Sequence, residues 1–315
     1  MPDILTVTLN PALDMSTSVG HVRPQDKLRC ALPDLDPGGG GTNVARAIRL
    51  LGGHAKAFVA LAGYRGQQFA GLLAEEGVET VPFHIEGETR LSLAVSDTTT
   101  HEQYRFVMPG PRWTPEDAFR ALEAIADHTP RGGYVVLSGS QPPGVPVHFP
   151  TQLAAAVEEL GAKLVLDTSG APLRALLAAG SARQHVLRLD RAESEELAGR
   201  PLPEIADVAG FAHDLVARGV AEVVVLALGE KGSLLARDRH CWHAQTRPVP
   251  VKSKVGAGDS FVGAFTLALS RGETWETALA TGVAAASAAV MSDATALCLP
   301  GDVARLAGTV EVVPV

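Results

Sequence analysis

Cysteine is scarce in this chain: Cys30, Cys241 and Cys298 are its only three in 315 residues, odd in number and widely spaced. That excludes a disulfide framework and points to a reducing compartment. A basic stripe is missing as well. With 27 Lys and Arg against 35 Asp and Glu, the net charge is −8 and the pI near 5.7, which argues against nucleic acid as the main partner. The opening MPDILTVTLNPALDM has no basic region ahead of its short apolar stretch and does not read as a signal peptide. The longest uncharged run, Thr277–Ser292, is rich in Ala, Gly and Ser and short for a membrane span, so it reads as a buried helix and no membrane partner is expected. No repeat, coiled coil or low-complexity linker interrupts the chain. These absences leave a cytoplasmic protein folded as one domain over residues 1–315, with a hydrophobic content of 46% that suits a packed core.

What is present is an alternation. The runs ILTVTL, AKAFVAL, YVVLS, KLVLD and EVVVLAL are continuously apolar, as expected of strands covered on both faces. Helical patterns lie between them near Val44–Leu51, Gln67–Glu76, Glu116–His128, Thr151–Leu160 and Ala206–Arg218. The order predicts a doubly wound α/β fold with ligands at the carboxyl ends of its strands. Two stretches break the rule. Residues near 15–35 hold no good helix, and residues near 85–107 alternate as half-buried strands do, in RLSLAV and EQYRFVM. Together they predict a small β-sheet lid over the main domain.

Two glycine-rich helix starts carry the chemistry. In KSKVGAGDSFVGAFTLALSRG, the apolar residues Ala264, Phe265, Ala268 and Leu269 recur at helical spacing, and Gly272 suits the C-terminal cap. Gly256–Asp259 then open the helix, where unpaired N–H groups and a positive dipole favour phosphate oxygens. An acid there repels a resting anion, yet it makes sense as a base that takes a proton while charge develops beside it. The alternative is that Asp259 caps its helix. In DPGGGGTNVARAIRLLGG, four glycines let a ligand approach bare backbone and the Asn43 amide offers donors and an acceptor to hydroxyls; the alternative is a flexible turn with Asn43 as cap. Tyr104 and Phe106 share one strand face and Arg105 the other. HCWH, His240–His243, has no further Cys/His cluster to complete a metal set.

PGGGGTNVARAIRLLGG and VGAGDSFVGA resemble the two signatures of the PfkB (ribokinase-like) family of carbohydrate kinases. KLRC, EQYRFVMPG, SGSQPPGV, DTSG and GVAAASAA extend the resemblance over essentially the whole chain. It implies a ribokinase-like α/β fold, a mostly parallel sheet with a small β-sheet lid, and pairing of two copies through the lids. It also implies ATP-dependent phosphorylation of a ketohexose phosphate, fructose 6-phosphate foremost, at its 1-hydroxyl.

The implied roles follow the matching positions. Asp259 would take the proton, and Gly256, Ala257 and Gly258 would hold the transferring phosphoryl. Asp14, Gly38, Gly39, Asn43 and Ser138 would line the sugar site, with Lys27, Arg90 and Arg105 on the substrate's own phosphate. Arg188, Asp190, Ala227, Gly229, Gly232, Lys252 and Ser253 fall in the nucleotide region, and Glu193 would organise Mg²⁺ through water.

The chain also departs from the family pattern. Arg188-Leu189-Asp190 stands where Lys-Pro-Asn is usual, Ala227 where a hydroxyl is usual, and VKSKVGAGD is a shortened loop. Ser292, Ala294 and Ala296 replace residues of a monovalent-cation region, which leaves K⁺ activation open. Gly40 stands where relatives acting on fructose 1-phosphate or tagatose 6-phosphate commonly carry lysine. Those two substrates remain the alternatives within the class, and a non-catalytic sugar-phosphate sensor the alternative outside it.

Overall fold

The computed structural model describes residues 3–179, 184–292 and 296–315. The apolar runs form the centre of a large sheet. In chain order its strands are β1 (Ile4–Thr8), β4 (Lys56–Leu61), β5 (Glu79–His84), β8 (Tyr134–Ser138), β9 (Lys163–Asp167), β10 (Gln184–Leu189), β11 (Ala221–Ala227), β12 (Ser233–Arg237), β13 (His240–Gln245) and β14 (Glu311–Pro314). Their spatial order is β14-β13-β12-β11-β10-β9-β8-β1-β4-β5; β5 to β11 pair in parallel, and β12, β13 and β14 extend the sheet antiparallel. A separate four-stranded sheet lies beside it, the arrangement the family resemblance implies.

Ten helices among the described residues complete the fold: α1 (Gly40–Leu50), α2 (Gly63–Glu75), α3 (Pro115–His128), α4 (Phe149–Glu159), α5 (Gly170–Ala179), α6 (Arg191–Ala198), α7 (Ile205–Ala217), α8 (Ala257–Ser270), α9 (Trp275–Met291) and α10 (Pro300–Ala307). Successive strand residues point to opposite faces, so each parallel strand feeds two cores. Leu5, Val7, Leu166 and Leu187 pack with α3, α4, α5 and α7 on one face. Ile4, Val136, Val165 and Val186 pack with α1, α2, α8 and α9 on the other. The uncharged run near 277–292 is α9, buried as its composition requires.

The small sheet comes from β2 (Ala12–Val19), β3 (Asp34–Gly38), β6 (Arg90–Asp97) and β7 (Gln103–Val107), ordered β3-β2-β6-β7. Residues directly opposite in a ladder share a face. The register therefore places Asp14, Asp36, Arg90, Ser92 and Arg105 on one face and Leu13, Met15, Leu35, Leu93, Tyr104 and Phe106 on the other.

β13 and the antiparallel edge it joins were outside the expected alternation. On β13, His240 stacks on Trp242 with ring centroids 5.5 Å apart, while Cys241 turns to the opposite core. No helix among the described residues is long and apolar enough to cross a membrane.

Candidate active site

The chain leaves β1 toward β4 and β5 on one side and later returns to β8, β9, β10 and β11 on the other. The reversal falls between β1 and β8, where an open sheet of this kind splays a crevice at its carboxyl edge. The glycine run seats α1 on that crevice. A Cβ at Gly41 would lie 2.3 Å from the Val7 carbonyl oxygen of β1, and one at Gly40 would lie 2.4 Å from Ser138 Oγ and 2.6 Å from the Gly139 nitrogen beyond β8. At Gly38 it would meet the Asp14 carboxylate, and Gly39 has a φ of 122°. The run is built for close approach. Helix α1 starts at Gly40 with Gly39 as its cap, so Asn43 lies inside the first turn and is not the cap.

Helix α8 packs across α1 at a second close contact, where a Cβ on Gly263 would touch Ala47 Cβ at 3.0 Å. That packing carries the Gly256–Asp259 turn to Asn43. Gly256, at φ 73°, caps α8 with no side-chain acceptor on the free N–H groups. Asp259 sits in the first turn and does not cap it; its Oδ2 accepts from Asn43 Nδ2 at 2.9 Å. Gly272, at φ 76°, closes the far end through its N–H to Leu269.

Around Asp259 the strand ends converge. Ser138 ends β8 and donates its hydroxyl to Asp167 Oδ2 at 3.2 Å. Asp167 ends β9 and takes the Arg188 Nη1 of β10 at 3.0 Å. The Arg188 guanidinium lies against Gly258, 3.1 Å from where a Cβ would stand, so it borders the anion turn. Desolvation first and the Asp167 charge second push Asp259 up to about 6, against the pull of Asn43, Arg188 and Ser138. A carboxyl near neutrality is suited to taking and returning a proton.

Beyond β10, Asp190 and Glu193 cap α6 reciprocally. The Glu193 N–H donates to Asp190 Oδ1 and the Asp190 N–H to Glu193 Oε2, both at 2.8 Å. Asp and Asn serve equally as N-caps, so the departure at 190 keeps the local fold. Glu193 is pushed up to about 6 by desolvation and by the charges of Asp190 and Asp167. The Ala227–Gly232 loop leaves the carboxyl end of β11. It is pinned by Leu228 N–H to Gly232 O at 2.8 Å, with positive φ at Gly229 and Gly232.

The polar face of the small sheet meets this crest. Asp14 is pushed up by desolvation, with Arg90, Ser92 and Arg105 pulling the other way. Arg90 Nε donates to the Asn10 carbonyl at 3.2 Å. An open cleft of about 650 Å³ separates Ser96, Gln103 and Arg105 of the small sheet from Lys252, Ser253 and Lys254 ahead of α8. The backbone N–H of Lys252 is held by the Val290 carbonyl at 2.8 Å, as is that of Ser253 at 3.3 Å. Lys27 lies exposed in the connection between β2 and β3. Of the cation-region residues, Ser292 is buried and turned to the Ala288 carbonyl, Ala296 is exposed, and Ala294 lies outside the described residues.

Two participants were not singled out from sequence. Asp167 was legible as the acid that ends an apolar strand, in KLVLD. Arg46 is 7% exposed and lies off the Val44–Ile48–Leu51 stripe of α1; its i,i+3 spacing from Asn43 is its signal.

The fold and the crest define an α/β kinase. The chain belongs to the pfkB family of carbohydrate kinases, whose pattern matches residues 12–302. It is 40% identical over 306 residues to ATP-dependent 6-phosphofructokinase isozyme 2 of Escherichia coli, covering 97% of this chain and 98% of that one. It is 34% identical over 270 residues to 1-phosphofructokinase of Xanthomonas campestris, covering 84% and 83%. The crystal structure of E. coli phosphofructokinase-2 with fructose 6-phosphate superposes with a TM-score of 0.90 at 37% identity, over 98% of this chain and 99% of that one. A tetrameric inhibited form of the same enzyme superposes at 0.91, with 38% identity and the same coverage.

Proposed function

We propose that this protein transfers the γ-phosphoryl group of ATP to the 1-hydroxyl of fructose 6-phosphate, giving fructose 1,6-bisphosphate. The observation that carries the reading is Asp259, held by Asn43 beside the N-terminus of α8, whose N–H groups have no side-chain cap. Asp259 removes the proton of the attacking hydroxyl, while the N–H groups of Gly256, Ala257 and Gly258 receive the transferring oxygens. Asp14, Gly38, Gly39, Asn43 and Ser138 hold the sugar. Arg90 and Arg105, on the face that carries Asp14, together with Lys27, hold the 6-phosphate, and the small sheet acts as a lid. Arg188, Asp190, the Ala227–Gly232 loop, Lys252 and Ser253 border the nucleotide.

Among the described residues no three His, Cys, Asp or Glu side chains form a metal cage. Mg²⁺ needs none, since it keeps several waters and uses one or two carboxylates with substrate phosphates. Glu193 fits that demand, because a cation would offset the desolvation, and the Asp190 and Asp167 charges, that raise its carboxyl. When bound, Mg²⁺ neutralises polyphosphate charge. K⁺ dependence is part of the proposal's test.

The competing reading, 1-phosphofructokinase, draws on the relatives at 34% identity and below, and tagatose-6-phosphate kinase stands beside it on the family resemblance alone. Gly40 weighs against it: the lysine those enzymes commonly carry has no room for its Cβ here. Two copies pair through the apolar faces of their small sheets, where Phe106 is 51% exposed and Met15, Leu35 and Leu93 are half-buried. The enzyme works in the cytoplasm.

The deciding experiment measures ADP release over a panel of sugars and sugar phosphates, with and without K⁺. Fructose 6-phosphate should give the highest kcat/KM. A competitor ranking first overturns the substrate and leaves the kinase; no turnover with any member favours a sugar-phosphate sensor.

A further inference from the structure

Arg46 is a buried arginine three residues beyond Asn43 on α1, off the Val44–Ile48–Leu51 stripe, and every nitrogen of its guanidinium has a partner. Nε and Nη2 form a fork on Glu76 at 2.6 and 2.7 Å, at the end of α2. Nη1 reaches the Asn43 Oδ1 at 3.2 Å and the Pro37 carbonyl of β3 at 3.5 Å, and Nη2 lies 3.8 Å from the Asp36 carboxylate. One side chain thus joins α1, α2 and the strand of the small sheet next to Asp14.

The consequence falls on the base. An arginine has only donors and an ionised carboxylate only acceptors. Asn43 stands between the two, with one end of its amide on Arg46 and the other on Asp259. Only one orientation satisfies both: Oδ1 on the guanidinium and Nδ2 on Asp259. The flipped amide would set oxygen against the Asp259 carboxylate and N–H against the cation.

We propose that Arg46 is the positioning residue for the catalytic base, fixing the Asn43 amide so that it donates to Asp259. Glu76 holds Arg46 in turn, and the contacts to Pro37 and Asp36 tie the same relay to the sugar-binding strand. The other groups facing Asp259 are Ser138 from β8, Asp167 from β9 and Arg188 from β10; Ser138 and Arg188 both bond to Asp167, while the Asn43 oxygen accepts from Arg46, so the amide's orientation depends on Arg46. The kinetic half of the test rests on the phosphoryl-transfer reading, and the spectroscopic half does not.

The experiment compares the wild type with Arg46→Lys, alone and in an Asn43→Ala background. Lysine can still meet Glu76, but it lacks the fork that serves Glu76 and Asn43 at once. Arg46→Lys should lower kcat roughly tenfold with the KM for ATP unmoved, the size of one charge-assisted hydrogen bond. In the Asn43→Ala background the same change should cost almost nothing further, because the amide it positions is gone. Carbon-13 titration of the Asp259 carboxyl, identified by its absence in Asp259→Asn, should show the midpoint moving upward in Arg46→Lys. Additive losses, or a midpoint that stays where it is, overturn the proposal. If Arg46→Lys does not fold, Glu76→Gln is titrated instead, with a smaller upward shift expected and an unmoved midpoint again overturning it. A wild type without turnover would refute the kinase reading, while the titration still decides the role of Arg46.

Discussion

Gly40 and Ser138 are packed so closely that a Cβ on Gly40 would lie 2.4 Å from the Ser138 oxygen, with the Gly139 nitrogen at 2.6 Å behind it. Backbone atoms form part of that wall, so it does not yield by a rotamer change. Gly40→Ala should lower Tm and kcat/KM together, because α1 must lift from the crevice. Gly40→Lys should lose activity on every substrate without gaining a preference for fructose 1-phosphate. Assays of both variants on the two fructose phosphates check this; a gain on fructose 1-phosphate would show that the wall moves.

Asp259→Asn should lower kcat by ~10²–10⁴, the usual cost of removing a positioned general base. The same variant should be more stable than the wild type at neutral pH. Asp259 has its carboxyl raised from 3.8 to about 6, so its contribution is complete below pH 3.8 and is lost as pH rises through about 6. Asparagine does not ionise and loses nothing there. Thermal melts at pH 7.5 and pH 4 should show the Tm gain at the higher value only.

The pH profile of kcat/KM should fall on its acid side with a midpoint near 6, since only the ionised Asp259 takes a proton. Rates with fructose 6-phosphate between pH 5 and 8 measure it. A flat profile across that range would remove Asp259 from the base role.

Arg90→Ala and Arg105→Ala should each raise the KM for fructose 6-phosphate about tenfold or more, the effect of one lost hydrogen bond to a charged group. The KM for ATP should stay near its wild-type value. An increase confined to ATP would put the substrate phosphate elsewhere.

Glu193→Gln should raise the Mg²⁺ concentration needed for half-maximal rate, and, because the Glu193 carboxyl is raised from 4.5 to about 6, it should raise Tm at pH 7.5 and not at pH 4. Glutamine keeps the reciprocal cap with Asp190 but carries no charge for a hydrated cation. An unaltered Mg²⁺ dependence would free Glu193 from that role.

The local order of strands and helices was legible in the chain because it depends on neighbours a few residues apart. Continuous apolar runs read as buried parallel strands, and glycine before an apolar period reads as a helix start. Alternation in 85–107 likewise marked a second sheet, and placed Arg105 opposite Tyr104 and Phe106. Short strands such as β12 and β14 were not legible, since a few residues beside a turn carry little periodicity and depend on the sheet edge for their pairing.

The chemistry of the site was decided only in three dimensions. Sequence left Asp259 open as a helix cap or a base; the bond to Asn43, 216 residues away, takes its carboxylate off the helix end. Four glycines read as a loop for a ligand, whereas much of the run is required by packing against β1, β8 and Asp14. Asp167 and Arg46 looked like ordinary charges until strand ends brought Asp167 to Ser138 and Arg188, and helix packing brought Arg46 to Asn43 and Glu76. Local pattern determines which elements form, because it sets backbone preference and the face to be buried. Which side chains meet depends on long-range packing, and desolvation and charge act only on groups already brought together.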